Sequence, residues 1–307
     1  MKSWKTRLTI LLCLQLILVL GVWASSYSSL QRDAAGIKIL DFGPEEIDRV
    51  ELSSNDSKAE IKKEEGKWIL PGYASLGADQ EKVTSYLTDL EALKSQDLVS
   101  DSSVNHQRFG VGEEDAQLRV KLYTGEKLRQ DILLGKTPAF GKRYIRLAGE
   151  DAVHSTVFNP GQSAQDKDWL DKKILALPGI SKLELPSFTL AKEGELWTVD
   201  GEEADLSKAK ALAEKMENLS ILEKAERPIQ KADFKVKILT SDGTETSYQF
   251  KALNDKHYLQ KEGDKVTFRV TESLYNSLAK TSLESFKTSE ELKPISKKEP
   301  LSAKPKE

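Results

Sequence analysis

Three histidines, His106, His154 and His257, are the side chains whose ordinary pKa best suits acid–base work near neutrality. A base or metal site needs a second ligating group at helical or strand spacing, and no His-Glu-x-x-His or similar pair accompanies any of them. All three read as structural or solvated. Serine, histidine and aspartate are abundant, but no Gly-x-Ser-x-Gly elbow presents a nucleophile. Gly110-x-Gly112 lacks the third glycine of a dinucleotide loop and its strand-to-helix context, and no Walker A sequence occurs. Glu64-Glu65 and Glu113-Glu114-Asp115 are neighbours at turns, whereas glycoside chemistry requires carboxylates facing each other across a cleft. EF-hand spacing is absent. The single cysteine, Cys13, excludes a disulfide framework and a Cys-based zinc site. No catalytic, cofactor-binding or metal-ligating residue is assigned, no cofactor is implied, and the chain is read as not an enzyme.

The aromatic residues are more telling. Trp68 follows Gly66, and Trp197 follows Gly194, at corresponding places in two related stretches: Ile47–Leu70 and Ile180–Val199. Each stretch reads as a strand, a polar turn and a return strand that carries an inward tryptophan. Trp169, before Leu170-Asp171-Lys172, lies between the two related regions and is placed either to seal their junction or to face a partner.

The elements that would position these residues repeat in order. After Pro71-Gly72, Asp79 is an N-cap for a helix whose apolar stripe is Val83, Leu87, Leu90 and Leu93. A loop, His106–Gly112, precedes four strands over Leu118–Leu122, Lys127–Leu134, Arg143–Leu147 and Val153–Phe158, divided by glycine turns. The second region follows the same plan. Ala204-Asp205 matches Ala78-Asp79, and Leu212, Met216 and Leu219 form the helical stripe. Phe234, Val236 and Ile238 match Leu118, Val120 and Leu122, and strands over Tyr248–Lys251, His257–Leu259 and Val266–Val270 complete the set. Duplication accounts for this agreement better than chance. The fold class is α+β: two repeated units of mainly antiparallel sheet with one packed helix each, over residues 37–177 and 178–287. Residues 288–307, rich in Lys, Glu, Pro and Ser, are expected to be disordered.

Lys2, Lys5 and Arg7 precede the apolar run Leu8–Ala24. At about 1.5 Å per residue this run reaches roughly 25 Å, and extension through Tyr27 brings it to the ~30 Å of a hydrocarbon core. Residues 1–27 are therefore expected to be a signal anchor, an N-terminal transmembrane helix entering the membrane through residues 8–24. A cleaved signal peptide and a lipoprotein are the alternatives. All three place the body outside the cytoplasm. The 46 basic and 49 acidic side chains give a net charge of -3 without a basic excess, so no nucleic-acid partner is expected.

Several short motifs stand in a recognisable order: Val50-Glu51-Leu52, Gly66-Lys67-Trp68, Ala78-Asp79, Phe109-Gly110-Val111, Leu134-Gly135, Tyr144-Ile145-Arg146 and Trp169–Lys172. In that order the chain resembles the bacterial family called domain of unknown function 4340. The resemblance covers most of the first unit and, more loosely, the second. It implies an extracytoplasmic accessory role beside ABC-type transport components and supplies no catalytic residue. One departure stands out. Gly112-Glu113 replaces the Asp and Pro that such proteins carry after the loop, which predicts a looser loop here.

The expected function is a non-catalytic accessory or interaction component of an ABC-type transport or envelope assembly. It would be single-pass in the cell inner membrane, with its body facing the periplasm or cell exterior. Its partner would be an envelope or membrane protein, docked on edge strands. The alternative is an envelope enzyme or carbohydrate-binding protein using a cleft between the units lined by Trp169, Tyr144 and Arg146.

Overall fold

The computed structural model describes residues 37–138, 141–158 and 163–287, with Gln15 standing alone before them. The anchor expected over 1–27 and the tail expected over 288–307 lie outside the described residues. Among the described residues no helix is long and apolar enough to cross a membrane.

The chain divides into two compact units between Asp171 and Lys172. The N-terminal unit contains β1 (Ile37–Lys38), β2 (Arg49–Ser53), β3 (Lys58–Glu64), β4 (Lys67–Leu70), β5 (Leu76–Gly77), β6 (Lys94–Ser95), β7 (Asp97–Ser100), β8 (Leu118–Thr124), β9 (Lys127–Leu134), β10 (Lys142–Leu147) and β11 (Val153–Val157). The C-terminal unit contains β12 (Ile180–Glu184), β13 (Thr189–Glu193), β14 (Leu196–Val199), β15 (Glu202–Glu203), β16 (Glu223–Lys224), β17 (Phe234–Thr240), β18 (Glu245–Leu253), β19 (Lys256–Lys261) and β20 (Thr267–Val270).

Each unit builds a nine-stranded antiparallel sheet, and the two strand orders are the same permutation. The first runs β5-β4-β3-β2-β8-β9-β10-β11-β7, and the second runs β15-β14-β13-β12-β17-β18-β19-β20-β16. In sequence terms this is an α+β fold used twice, as the repeated pattern predicts.

Register shows why the apolar alternation works. Directly opposed residues share a face of a sheet. Val50 opposes Ile61 and Leu122, Leu52 opposes Ala59 and Val120, and Leu134 opposes Leu118 and Ile145. That face is buried, and helix Gln80–Glu91 turns Val83, Tyr86, Leu87 and Leu90 inward. Each such aliphatic side chain contributes about 1.5–3 kcal/mol by leaving water. In the second unit Leu183 opposes Leu190 and Ile238, and Leu259 opposes Phe250 and Phe268. Helix Leu206–Glu217 contributes Ala209, Leu212, Ala213 and Met216.

The hinge from hairpin to helix is the same in both units. Ala78 N donates to Trp68 O and Ala204 N donates to Trp197 O, each at 2.9 Å. Asp79 and Asp205 then cap their helices by accepting from Lys82 N and Lys208 N. The cap's own amide is met by the chain segment that closes the unit: Asp79 N donates to Trp169 O, and Asp205 N donates to Phe286 O. Trp169 and Phe286 thus hold equivalent posts.

Two local expectations change. His106–Phe109, expected as loop, is a short helix that Gly110 ends in the left-handed region at φ 68°. The edge strands are also poor docking edges. Three of them span two residues each, and β7 spans four. Short edges expose few unpaired backbone groups, so strand addition has little to pair with.

Candidate functional site

The chemistry-bearing residues singled out by sequence are each engaged by their own unit. His106 Nε2 lies 3.0 Å from Asp151 O, and His154 Nδ1 lies 2.7 Å from Ser95 Oγ. His257 packs on the Tyr275 ring, 4.6 Å between centroids. Trp68 and Trp197 are buried at 5% exposure each, as core tryptophans on return strands. Glu64 faces Lys62 at a solvated turn. Among the described residues no group of three or more His, Cys, Asp or Glu side chains is gathered to hold a metal.

Trp169, Tyr144 and Arg146 fall into the packing of the N-terminal unit. Trp169 is buried against the edge of Tyr86, 5.1 Å between centroids, and its indole donates to Ser163 O. It closes that unit's core instead of presenting itself to a ligand. Tyr144 packs edge-on against Phe109 at 4.7 Å. Arg146 is 3% exposed and spends its donors locally. Its Nε donates to Val111 O at 2.8 Å, its Nη1 to Glu150 O at 2.9 Å, and its Nη2 to Glu113 at 3.1 Å. A buried guanidinium so fully met is a staple for the loop that it grips.

That staple explains several motifs together. Phe109, Val111, Ala116, Leu133, Tyr144, Ala148 and Val153 form a second apolar cluster on the sheet face opposite the main core. Gly135 permits it, because a Cβ there would lie 2.3 Å from Phe109 O. The loop is not loosened by Gly112-Glu113. Glu113 meets Arg119 at 2.8 Å and also Arg146, so its carboxylate ties the loop down.

In the C-terminal unit the corresponding face is only partly covered, with Thr267 buried at 2% exposure. Between the segment Glu223–Lys231 and the outward residues of β18, β19 and β20 runs an open groove of about 800 Å³. Its sheet side includes Lys251, Leu253, Lys256, Tyr258 and Arg269. Six cationic side chains, Lys224, Arg227, Lys231, Lys251, Lys256 and Arg269, face two carboxylates, Glu223 and Glu226. Arg269 pairs with Glu223 and Lys251 with Asp233, both at 2.6 Å. Arg227, Lys231 and Lys256 are exposed and form no ion pair among the described residues. The Nε of Arg269 is buried without an acceptor. Gln260 holds the loop in place, accepting from Ile229 N at 3.0 Å.

This groove was not visible in the sequence. Its cations come from one loop and from strands β16, β18, β19 and β20, and each looks like part of an alternating, solvated charge pattern. The nearest signal is the run Arg227-Pro-Ile-Gln-Lys231, which carries two cations around an apolar residue.

Among known proteins, the family described as Domain of unknown function (DUF4340) matches residues 68–300. No curated protein and no solved structure matches the chain.

Proposed function

The chain belongs to the DUF4340 family, and from that premise we propose that it is an accessory binding component of a membrane-bound envelope assembly of the ABC-transport type. Residues 8–24 would anchor it in the inner membrane, with both sheet units on the outer side. The observation that carries this reading is the open basic groove of the C-terminal unit, a surface with charge and apolar area to offer a partner. The histidines, tryptophans and buried arginine, by contrast, are occupied in holding their own units together. An anchored body with such a surface suits tethering or guiding a partner at the membrane.

The test is mild crosslinking in intact cells followed by detergent extraction of the full-length chain. A transport-type membrane component should be recovered with it, and protease added outside the inner membrane should digest the body. Recovery of the chain alone, or a body protected with the cytosol, would refute the proposal.

A further inference from the structure

We infer that the groove of the C-terminal unit is a docking site for an extended, carboxylate-rich peptide segment of a partner protein. This rests on the reading of the chain as an interaction component and adds the chemistry of what that component holds.

The two units provide an internal comparison, residue by residue. Register aligns Leu133, Tyr144, Arg146 and Val153 of the first unit with Gln249, Tyr258, Gln260 and Thr267 of the second. In the first unit this face is apolar and sealed by the Phe109–Ala116 segment. In the second, Leu133 and Val153 are replaced by polar residues, and Arg269 stands where Ser155 stands in the first. The covering loop still attaches at the equivalent strand residue, through Arg146 to Val111 O and through Gln260 to Ile229 N. The attachment is retained and Thr267 beside it stays buried, so the groove opens next to that contact, along Lys251, Leu253, Lys256, Tyr258 and Arg269.

Its charge identifies the occupant. The cations lie along the groove, on the loop at Arg227 and Lys231, and at the β18–β19 turn at Lys251 and Lys256. Charges spread this way match a polyanion with negative groups distributed along a chain, and not one compact anion. Leu253, 56% exposed, and the partly buried Ile229 and Tyr258 place apolar surface between them. An acidic peptide has side chains for both kinds of surface, and a phosphate polymer has none for the apolar part. A concave groove also fits a chain better than a lipid plane. Arg269 adds selectivity: its Nη1 donates to Glu223, while its Nε is buried. A guanidinium fork binds a carboxylate through two donors. Glu223 therefore acts as an internal competitor for the incoming carboxylate.

The test uses full-length protein in neutral detergent and a fluorescein-labelled synthetic peptide of repeating Glu-Ser-Glu-Leu, read by anisotropy at low salt. The peptide should bind. Arg227→Glu combined with Lys256→Glu should weaken it about tenfold, as expected for the loss and reversal of two exposed charge contacts. Glu223→Gln should tighten binding. The charge-matched double variant Lys67→Glu with Lys127→Glu, on exposed positions of the first unit, should leave it unchanged. Short-chain polyphosphate and phosphatidylglycerol vesicles serve as competing ligands. If either binds through the groove while the peptide does not, the inference is overturned. Failure of the peptide to bind, or equal weakening by both double variants, also overturns it. A membrane partner still crosslinked to the groove variant in cells would sink this inference and leave the accessory role standing. Peptide binding without any cellular partner would do the reverse.

Discussion

Replacing Gly135 by alanine tests how the first unit seals its outer face. An added Cβ would lie 2.3 Å from Phe109 O, 2.6 Å from Val111 Cγ1 and 3.0 Å from Gly110 O. Ordinary contact begins near 3.4 Å, so the loop must withdraw by about 1 Å. Two of the atoms are backbone and cannot rotate aside. Withdrawal breaks the bond from Lys136 N to Phe109 O, 2.9 Å, and strains that from Arg146 Nε to Val111 O, 2.8 Å. A lost hydrogen bond costs about 1 kcal/mol, and overpacking costs about 1–3 kcal/mol, so the expected penalty is about 3 kcal/mol. The control is Gly66→Ala. Nothing lies within 4 Å of a Cβ there, and only the left-handed φ of 81° opposes it. That change should cost about 1 kcal/mol. Two units need not unfold together, so a single midpoint is a poor readout. Site-resolved hydrogen exchange on the full-length chain is the better assay. Gly135→Ala should speed exchange over residues 106–117 and leave β17–β20 as in the parent. If 106–117 stays protected, or the two glycine variants cost the same, the packing argument is wrong.

Other perturbations probe separate joints. Asp79→Ala removes the cap that accepts from Lys82 N and should cost about 1 kcal/mol in the first unit, measured by urea unfolding. Arg146→Gln leaves Val111 O and Glu150 O short of donors and should destabilise by about 2–4 kcal/mol, with proteolysis appearing first between His106 and Gln117. Burial pushes the Tyr248 hydroxyl up to about 12, and that group donates to Leu175 O at 2.8 Å. The folded state then keeps a proton that the unfolded chain releases near pH 10. The associated stability is complete below pH 10 and falls as pH rises towards 12, by up to about 1.4 kcal/mol per pH unit. Tyr248→Phe should flatten this alkaline slope in a pH series of denaturant melts. Tyr275, raised to about 12 by burial and by its bond to Asp233, should leave a residual slope of the same sign.

Much of the architecture could be read from residue order, because each strand is half-buried and alternates cleanly. Val50 and Leu52, or Val236 and Ile238, announce their inward face by spacing alone. Asp79 and Asp205 announced their helices for a similar reason, since a capping side chain acts on amides three residues away. Features made by distant segments were not readable. Nothing near Trp169 says that its carbonyl will meet Asp79 N, and nothing near Arg146 says that it will staple Val111. Short elements also escaped. The helix His106–Phe109 depends on Gly110 and on the cluster beneath it, not on any periodicity of its own. The groove is the extreme case: its lining comes from the segment Glu223–Lys231 and from three later strands, which only the fold brings together.

We propose that the C-terminal unit holds a partner through its basic groove. A photo-reactive residue placed at Lys256 in intact cells, with the same residue at Lys127 as reference, addresses it most directly. A discrete adduct in the membrane fraction from Lys256 alone, mapped by mass spectrometry to an acidic segment of a transport-type component, is the predicted result. Equal labelling from both positions, or adducts confined to cytosolic proteins, would contradict it.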